Sequence, residues 1–173
     1  MSSVSILFDE SQIRHRVEEL SSDIAKSISG DFTVVGVLKG SFVFVADLVR
    51  ALGSQGLTPQ VDFMRLRSYG SAQESSGQVQ LIGEVPGGLE RRTVLLIDDI
   101  TDTGLSLLYA RNLLLESGAL AVRSCTLMDK PSRRTVDLEP DFVGFTIDDV
   151  FVVGYGIDYA EEYRYLPYIG TIE

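Results

Sequence analysis

The sequence predicts an α/β fold in which a mostly parallel, twisted sheet is covered by helices on both faces. Two segments, Thr33 to Leu38 and Thr93 to Ile97, are apolar nearly throughout, as in strands that are buried on both faces of a sheet. Each is followed by a glycine-containing turn and a helical segment, which is the order found in βαβ units. The 173 residues contain no linker, internal repeat or low-complexity tract, so we expect a single domain spanning residues 1–173.

Three helices are predicted from the spacing of apolar residues and from the residues at the helix ends. Asp9 and Gln12 have the pattern of a capping box at the start of the first helix. Gly53 is expected to close the second helix and Gly118 to follow the third. The predicted bounds are Asp9 to Ile28, Phe42 to Leu52 and Leu105 to Glu116.

Five further strands are predicted from short runs rich in β-branched and aromatic residues. Their bounds are Gln60 to Arg67, Gln78 to Val85, Val122 to Met128, Phe142 to Phe145 and Val150 to Val153. The segment from Ser68 to Gly77 is rich in Ser, Gly and Gln and has almost no apolar anchors, so it is expected to be a mobile loop.

The charge balance narrows the class of function. The chain has 15 Lys and Arg against 25 Asp and Glu, a formal net charge of −10, whereas a general nucleic-acid binder needs basic patches. With Cys125 as its one cysteine and His15 as its one histidine, it has no disulfide framework and no Cys/His zinc cluster. His15 lies off the apolar stripe of the first helix, as a surface histidine does. Any metal should therefore bind carboxylate oxygens, which favour Mg²⁺, Mn²⁺ or Ca²⁺.

No targeting or membrane segment is expected from the sequence. The amino-terminal residues lack the basic region of a signal peptide, and Lys39 and Asp47 interrupt the most apolar region. Together with the lone cysteine, this predicts a cytoplasmic protein in a reducing compartment, without a membrane partner.

The segment from Val94 to Leu107 carries the most chemical information. Asp102 to Ser106 offers backbone N–H groups, two hydroxyls and a glycine at the start of a helix, which suits a phosphate. It is not a Walker A loop, because GxxxxGK[ST] is absent. Asp98 and Asp99 would repel a phosphate but could accept hydrogen bonds from a sugar diol or hold Mg²⁺. The pattern therefore indicates a ribose 5-phosphate site; the alternative is a turn in which the acids only cap the helix.

This segment, VLLIDDITDTGLSL, resembles the phosphoribosyl pyrophosphate motif of the phosphoribosyltransferases. Further blocks resemble, more narrowly, the bacterial hypoxanthine-guanine phosphoribosyltransferases, and they occur in the family's order over nearly the whole chain. The blocks are VGVLKGSFVFVADL, MRLRSYG, MDKPSRR, PDFVGFTI and FVVGYGIDYAEEYRYLPYIG. The resemblance implies a phosphoribosyltransferase-like fold with a small hood over the base site. It also implies an enzyme of purine salvage that uses Mg²⁺, phosphoribosyl pyrophosphate and a 6-oxopurine, as a homodimer or homotetramer.

The resemblance also implies residue roles in the sugar half of the site. Asp98 and Asp99 would bind the ribose hydroxyls and the metal ion. Lys39 and Gly40 would contact the pyrophosphate through a strained loop, and Arg164 would add a second positive charge. The residues of the 5-phosphate turn would be Asp102, Thr103, Gly104, Leu105 and Ser106.

In the purine half, Asp102 would be the general base, since an aspartate is ionised at neutral pH and can accept a ring proton. Lys130 would donate to the exocyclic oxygen and Phe151 would stack on the ring. Val152 and Asp158 would complete the base site, with Asp158 also at a second metal position. Ser68 and Tyr69 would begin a lid that excludes water.

For several of these residues, the sequence alone also allows a purely structural role. Lys39 could be a solvated cation at a strand end, Arg164 a surface cation, Lys130 an exposed turn residue and Phe151 a core aromatic. Two positions depart from the family pattern. Asp98 stands where glutamate is common, which shortens the reach of the carboxylate, and Thr101 stands where an aliphatic residue is usual.

Three competing functions remain at this stage. A xanthine-preferring phosphoribosyltransferase would share the same motifs. A phosphoribosyl-binding regulator would need a basic nucleic-acid surface or an added module, and the acidic chain has neither. A receiver-type signalling domain would carry its acid pair after the first strand, whereas Asp98 and Asp99 come late in the chain.

Overall fold

The computed structural model describes residues 3–71 and 74–172. They form a six-stranded sheet in the order β4-β3-β2-β5-β6-β7 and a three-stranded sheet in the order β1-β9-β8. The strands are β1 Val4–Phe8, β2 Phe32–Leu38, β3 Gln60–Ser71, β4 Glu74–Ile82, β5 Thr93–Thr101, β6 Ala121–Asp129, β7 Phe142–Thr146, β8 Val152–Val153 and β9 Ile169–Ile172. The helices are α1 Glu10–Ser27, α2 Phe42–Ser54 and α3 Leu105–Glu116.

The large sheet is parallel from β3 to β7, and only its edge strand β4 runs antiparallel. Successive residues of the central strands point to opposite faces. On one face Val34, Leu95 and Ile97 pack with α1 and α2, and on the other Val35 and Leu96 pack with α3. The predicted α/β fold, with a mostly parallel sheet covered on both faces, is therefore confirmed.

The small sheet forms the hood and contacts the large sheet at β7, where Phe8 of β1 stacks on Phe145 with ring centroids 3.9 Å apart. Its β1 and β9 pair antiparallel although they come from opposite ends of the chain. Neither strand follows from the sequence pattern, because both are short and their partners are remote along the chain. The two residues of β8 follow Val150 and Phe151, so the predicted strand beginning at Val150 is too long.

The helix predictions hold with one correction. The capping box at Asp9 is present, with the Asp9 carboxylate accepting from the Gln12 N–H at 2.8 Å. Gly53 does not close α2: the helix continues to Ser54, and the left-handed backbone conformation is at Gly56, with φ +83°. Gly53 keeps a helical backbone, and the left-handed residue that commonly follows the end of a helix is Gly56 instead.

The predicted loop from Ser68 to Gly77 is wrong in extent. β3 continues to Ser71 and β4 begins at Glu74, with pairing that extends to Ser71 opposite Glu74. Backbone hydrogen bonds hold β3 and β4 together, so the pairing does not need the apolar side chains that this segment lacks. Residues 72 and 73 lie outside the described residues, as does the side chain of Tyr69. None of the described helices is long and apolar enough to cross a membrane.

Candidate active site

Three neighbouring strands of the large sheet end at the candidate site. Because β2, β5 and β6 are parallel, their carboxyl ends lie at one edge and bring together Lys39 and Gly40, the acid pair, and Lys130. Gly40 approaches the acid pair so closely that an added Cβ would lie 1.8 Å from the Asp99 Oδ2 atom. The Leu38–Lys39 peptide bond is cis. A cavity of about 220 Å³ is lined by Gly40, Ser68, the acid pair and the turn at the start of α3.

The acid pair consists of Asp98, which is buried, and Asp99, which is half-buried. Asp98 Oδ1 accepts from the Asp99 N–H at 3.0 Å, and Asp99 Oδ1 accepts from the Ile100 N–H at 2.8 Å. Burial raises the pKa of both carboxyls, and for Asp98 the charge of Asp99 raises it further. A cation or a row of sugar hydroxyls would relieve this repulsion, so these residues fit both ligands.

The turn from Asp102 to Ser106 presents the start of α3 to the same cavity. The first-turn N–H groups of a helix have no intrahelical acceptor. Here the Leu105 N–H donates to the Thr103 hydroxyl oxygen at 3.3 Å. Gly104 has φ +86°, and a Cβ there would lie 2.8 Å from Val136 Cγ2 and 2.9 Å from Arg134 Cδ. Glycine is therefore required at this position on two independent grounds.

A buried ion pair holds this turn in place. Arg134 pairs with Asp129, and their side chains are only 9% and 6% exposed. Arg134 Nη1 also donates to the Asp102 carbonyl at 2.8 Å. The pair therefore ties the end of β6 to the turn. The hydroxyl of Thr101 is buried and has no hydrogen-bond partner among the described residues, so it does not brace the turn.

Two cations and two acids meet where the pyrophosphate contacts were predicted. Lys39 Nζ lies 2.8 Å and 3.0 Å from the two carboxylate oxygens of Glu161. Arg164 lies 2.9 Å from Asp158 and 3.4 Å from Glu161, and it donates to the Gly156 carbonyl at 2.8 Å. The side chain of Arg164 is 20% exposed, so it is not a simple surface cation. Lys39 and Glu161 are exposed, and the Lys39 ammonium lowers the pKa of Glu161.

The predicted purine residues lie along the hood side of the site. Lys130 is buried, with Nζ 3.8 Å from an Asp149 oxygen, so it is not an exposed turn residue. Phe151 is 53% exposed and packs edge-on against Tyr159, with ring centroids 5.4 Å apart. It is therefore not a core aromatic, whereas Val152 is buried in β8. Asp158 pairs with Arg164 and accepts the Glu161 N–H at 2.9 Å.

Comparisons with known proteins identify the family. The family described as "Phosphoribosyl transferase domain" matches residues 3–160. The chain is 42% identical to hypoxanthine-guanine phosphoribosyltransferase of Bacillus subtilis (strain 168), over 97% of this chain and 92% of that protein. It is 41% identical to hypoxanthine phosphoribosyltransferase of Escherichia coli (strain K12), over 98% of this chain and 95% of that protein. The crystal structure of a hypoxanthine-guanine phosphoribosyltransferase from Bacillus anthracis superposes with a TM-score of 0.92 at 39% identity, covering 100% of both chains.

The chain belongs to the phosphoribosyltransferase family. The resemblance found in the sequence motifs is thereby confirmed, as are the fold and the assignment as an enzyme. Within the described residues of this phosphoribosyltransferase, no cluster of three or more His, Cys, Asp or Glu side chains could hold a metal ion. Asp158 therefore does not join the acid pair in a three-carboxylate site.

Several residues at the site of this phosphoribosyltransferase were not predicted as functional. Arg133 bonds the Asp102 carboxylate, with its Nε 2.6 Å from Oδ1. Glu161 bridges Lys39 and Arg164, and Asp149 lies between Lys130 and Arg133. The motif blocks contain all three residues, but nothing in their spacing shows that they pair with predicted site residues far away in the chain.

Proposed function

We propose that this enzyme transfers the 5-phosphoribosyl group from phosphoribosyl pyrophosphate to N9 of hypoxanthine or guanine. The products are IMP or GMP and pyrophosphate. The proposal rests on one observation: four kinds of functional group lie at one edge of the large sheet. They are an acid pair at the end of β5, a glycine turn at the start of α3, a cation cluster around Lys39 and Arg164, and a buried lysine with an exposed aromatic ring two residues beyond its partner Asp149. The names of the relatives support the same reaction for this chain.

The sugar half of the substrate would occupy the turn and the acid pair. The first-turn N–H groups of α3 and the Thr103 and Ser106 hydroxyls would bind the 5-phosphate, as helix amino termini bind anions. Asp98 and Asp99 would accept hydrogen bonds from the ribose hydroxyls. These interactions would leave C1 of the ribose facing the base.

Mg²⁺ would be held by Asp98 or Asp99 together with oxygens of the substrate and water. When bound, the ion would neutralise the pyrophosphate as it leaves. Residues 3–71 and 74–172 supply too few clustered ligands to hold the ion alone, so binding of Mg²⁺ should depend on phosphoribosyl pyrophosphate. Asp158, which pairs with Arg164, is a candidate for a second ion.

The leaving pyrophosphate would be received by Lys39, the Gly40 loop and Arg164. Both cations are now paired with carboxylates, so the pyrophosphate would exchange with Glu161 for them. In the reaction the C1–oxygen bond to pyrophosphate breaks and the C1–N9 bond forms. Positive charge develops on the sugar, and these fixed cations stabilise the departing anion.

The base would lie between Phe151 and the turn. Phe151 would stack on the ring, Lys130 would donate to the 6-oxo oxygen, and the backbone of Val152 and the region of Asp158 would complete the pocket. The Asp102 carboxylate would take the proton that a ring nitrogen loses as N9 attacks. Ser68 and Tyr69 would begin a lid that limits hydrolysis of the sugar donor.

We further propose a cytoplasmic homodimer or homotetramer with one domain per chain. A cleft of about 950 Å³ between α1, α2 and the carboxyl-terminal segment is bordered by Phe42 and Tyr165, which are 45% and 83% exposed. A second copy could cover these rings. Sedimentation of the purified protein would give its oligomeric state, and a monomer at micromolar concentration would contradict this part of the proposal.

The reaction itself is tested by one assay. The protein is incubated with phosphoribosyl pyrophosphate, Mg²⁺ and, separately, hypoxanthine, guanine, xanthine and adenine, and nucleotide formation is measured by chromatography. We expect IMP and GMP. A faster reaction with xanthine would change the assigned base, and no product from any base would refute the enzymatic proposal.

A further inference from the structure

A chain of alternating charges runs across the purine side of the site. Arg133 Nε lies 2.6 Å from Asp102 Oδ1, and Arg133 Nη1 lies 3.3 Å from Asp149 Oδ2. The other oxygen of Asp149 lies 3.8 Å from Lys130 Nζ. The order is therefore Asp102, Arg133, Asp149 and Lys130. Its two ends are the proposed general base and the proposed donor to the 6-oxo oxygen.

The backbone places Arg133 where it can join these two groups. Pro131 to Arg133 form a single 3-10 turn directly after Lys130, and the Arg133 N–H donates to the Lys130 carbonyl at 3.1 Å. The guanidinium reaches back to Asp102 on the neighbouring turn, 31 residues earlier. Arg133 bonds only Oδ1, and no donor among the described residues is bonded to Oδ2 of Asp102.

The stability of the fold does not account for this arrangement. The side chains of Arg133, Asp102 and Asp149 are 45%, 41% and 54% exposed, and exposed ion pairs contribute little to folding. The adjacent Arg134 is the structural residue, because its pair with Asp129 is buried. The two neighbouring arginines therefore differ in what they hold: Arg134 holds the backbone of the turn, and Arg133 holds a carboxylate.

We propose that Arg133 is a positioning residue for the general base. It holds the Asp102 carboxylate through Oδ1 and leaves Oδ2 free to accept the proton of the purine ring. Through Asp149, it also sets the distance between Asp102 Oδ2 and Lys130 Nζ. The two polar contacts to the base are thereby held as one unit. This inference rests on the proposed transfer to a 6-oxopurine and adds a residue to it.

The test is a set of variants assayed with hypoxanthine in single-turnover and steady-state kinetics. Arg133→Gln removes the charge and the fork of donors and shortens the side chain. Arg133→Lys keeps a charge that can reach one carboxylate only. Lys26→Gln, which breaks an exposed pair with Asp23 on α1, is the control. Circular dichroism and urea unfolding of each variant show whether it folds.

For Arg133→Gln we expect kcat to fall about 10- to 100-fold, the effect of misplacing a catalytic group, with the KM for phosphoribosyl pyrophosphate unchanged. Arg133→Lys should recover part of this loss, and Lys26→Gln should match the wild type. In an Asp102→Ala background, the loss caused by Arg133→Gln should be much smaller, because only its effect on Lys130 through Asp149 remains.

Several outcomes would overturn the inference. One is an Arg133→Gln variant that matches Lys26→Gln, and another is an equal loss in the Asp102→Ala background, which would mean that Arg133 does not act through Asp102. A loss confined to KM for phosphoribosyl pyrophosphate would assign Arg133 to the sugar phosphate instead. A wild type that forms no nucleotide refutes the proposed function itself, so the two failures are distinguishable.

Discussion

Asp102 has two separable tasks at the level of single atoms. Its backbone belongs to the anion-binding turn, with the carbonyl held by Arg134 at 2.8 Å, whereas its carboxylate points to Arg133. A substitution that keeps the backbone should therefore leave the sugar-phosphate contacts in place and remove only the proton acceptor.

We expect Asp102→Ala to lower kcat with hypoxanthine by about 10²- to 10⁴-fold, the usual contribution of a general base. Binding of phosphoribosyl pyrophosphate with Mg²⁺, measured by isothermal titration calorimetry, should change little. Asp23→Ala, an exposed carboxylate on α1, serves as the control. Unchanged turnover in the Asp102 variant would remove this residue from the chemistry.

Gly104 offers a second test at a single residue, because its Cα hydrogen faces two side chains. An alanine there would need φ +86° and would bring its Cβ within 2.9 Å of both Val136 and Arg134. We expect Gly104→Ala to lower the free energy of unfolding by about 1–3 kcal/mol from the backbone conformation alone, and also to weaken sugar-phosphate binding.

Gly53→Ala is the matched control for that measurement. Gly53 lies within α2, with no atom within 4 Å of the added Cβ. Alanine is favoured over glycine in helices by about 0.5–1 kcal/mol, so this variant should be more stable than the wild type. Urea unfolding measures both changes. A Gly104 variant as stable as the Gly53 variant would contradict the steric argument.

At the scale of elements, the turn between Asp158 and Arg164 presents an acid to the pyrophosphate cations. Ala160, Glu161 and Tyr163 all have positive φ, and the Glu161 N–H is held by Asp158. The Glu161 carboxylate thus pairs with both Lys39 and Arg164, and it would compete with the pyrophosphate that we propose they bind.

Glu161→Gln should lower the KM for phosphoribosyl pyrophosphate about two- to fivefold, the factor equivalent to an exposed ion pair. The value of kcat should not change, because Glu161 is displaced before the reaction. Glu162→Gln on the same turn is the control. A higher KM in the Glu161 variant would mean instead that this acid holds Lys39 in its productive position.

Elements set by local patterns were predictable, and pairs between remote segments were not. The helix α3 has the predicted bounds of Leu105 to Glu116, because an apolar strand, a polar turn and a helical segment rich in leucine follow one another directly in the chain. The same local order predicted the acid pair and the anion turn. In contrast, β1 pairs with β9 across the whole chain, and Lys39 meets Glu161 at a separation of 122 residues. Such contacts depend on the complete topology, so no window of sequence contains them.

On the scale of the whole molecule, folding concentrates negative charge at one point. The chain has a formal net charge of −10, and the parallel sheet buries Asp98 beside Asp99 at the end of its central strand. Burial and the neighbouring charge raise the pKa of Asp98 well above 3.8. A carboxyl that is harder to ionise in the folded state than in the unfolded state costs folding free energy once both states are ionised. Burying these two carboxyls therefore lowers the free energy of unfolding, as expected for a site that binds a cation.

Asp98→Asn should consequently stabilise the protein, by an amount that depends on pH. Below pH 3.8 the carboxyl is protonated in both states, and the variant and the wild type should be equally stable. As the pH rises from there through the elevated pKa of the folded state, the unfolded chain binds fewer protons than the native one, so the wild type loses stability relative to the variant. Above that pKa the difference in stability should be constant, with the variant the more stable of the two.

Urea unfolding between pH 4 and pH 9 measures this difference, with Asp31→Asn, an exposed carboxylate before β2, as the control. Adding Mg²⁺ and phosphoribosyl pyrophosphate at pH 8 should stabilise the wild type more than Asp98→Asn, because the ligands stabilise only the charged pair. Two curves that stay parallel from pH 4 to pH 9 would show that Asp98 ionises as easily in the folded protein as in the unfolded chain. Burial of the acid pair would then give no reason to expect a cation there.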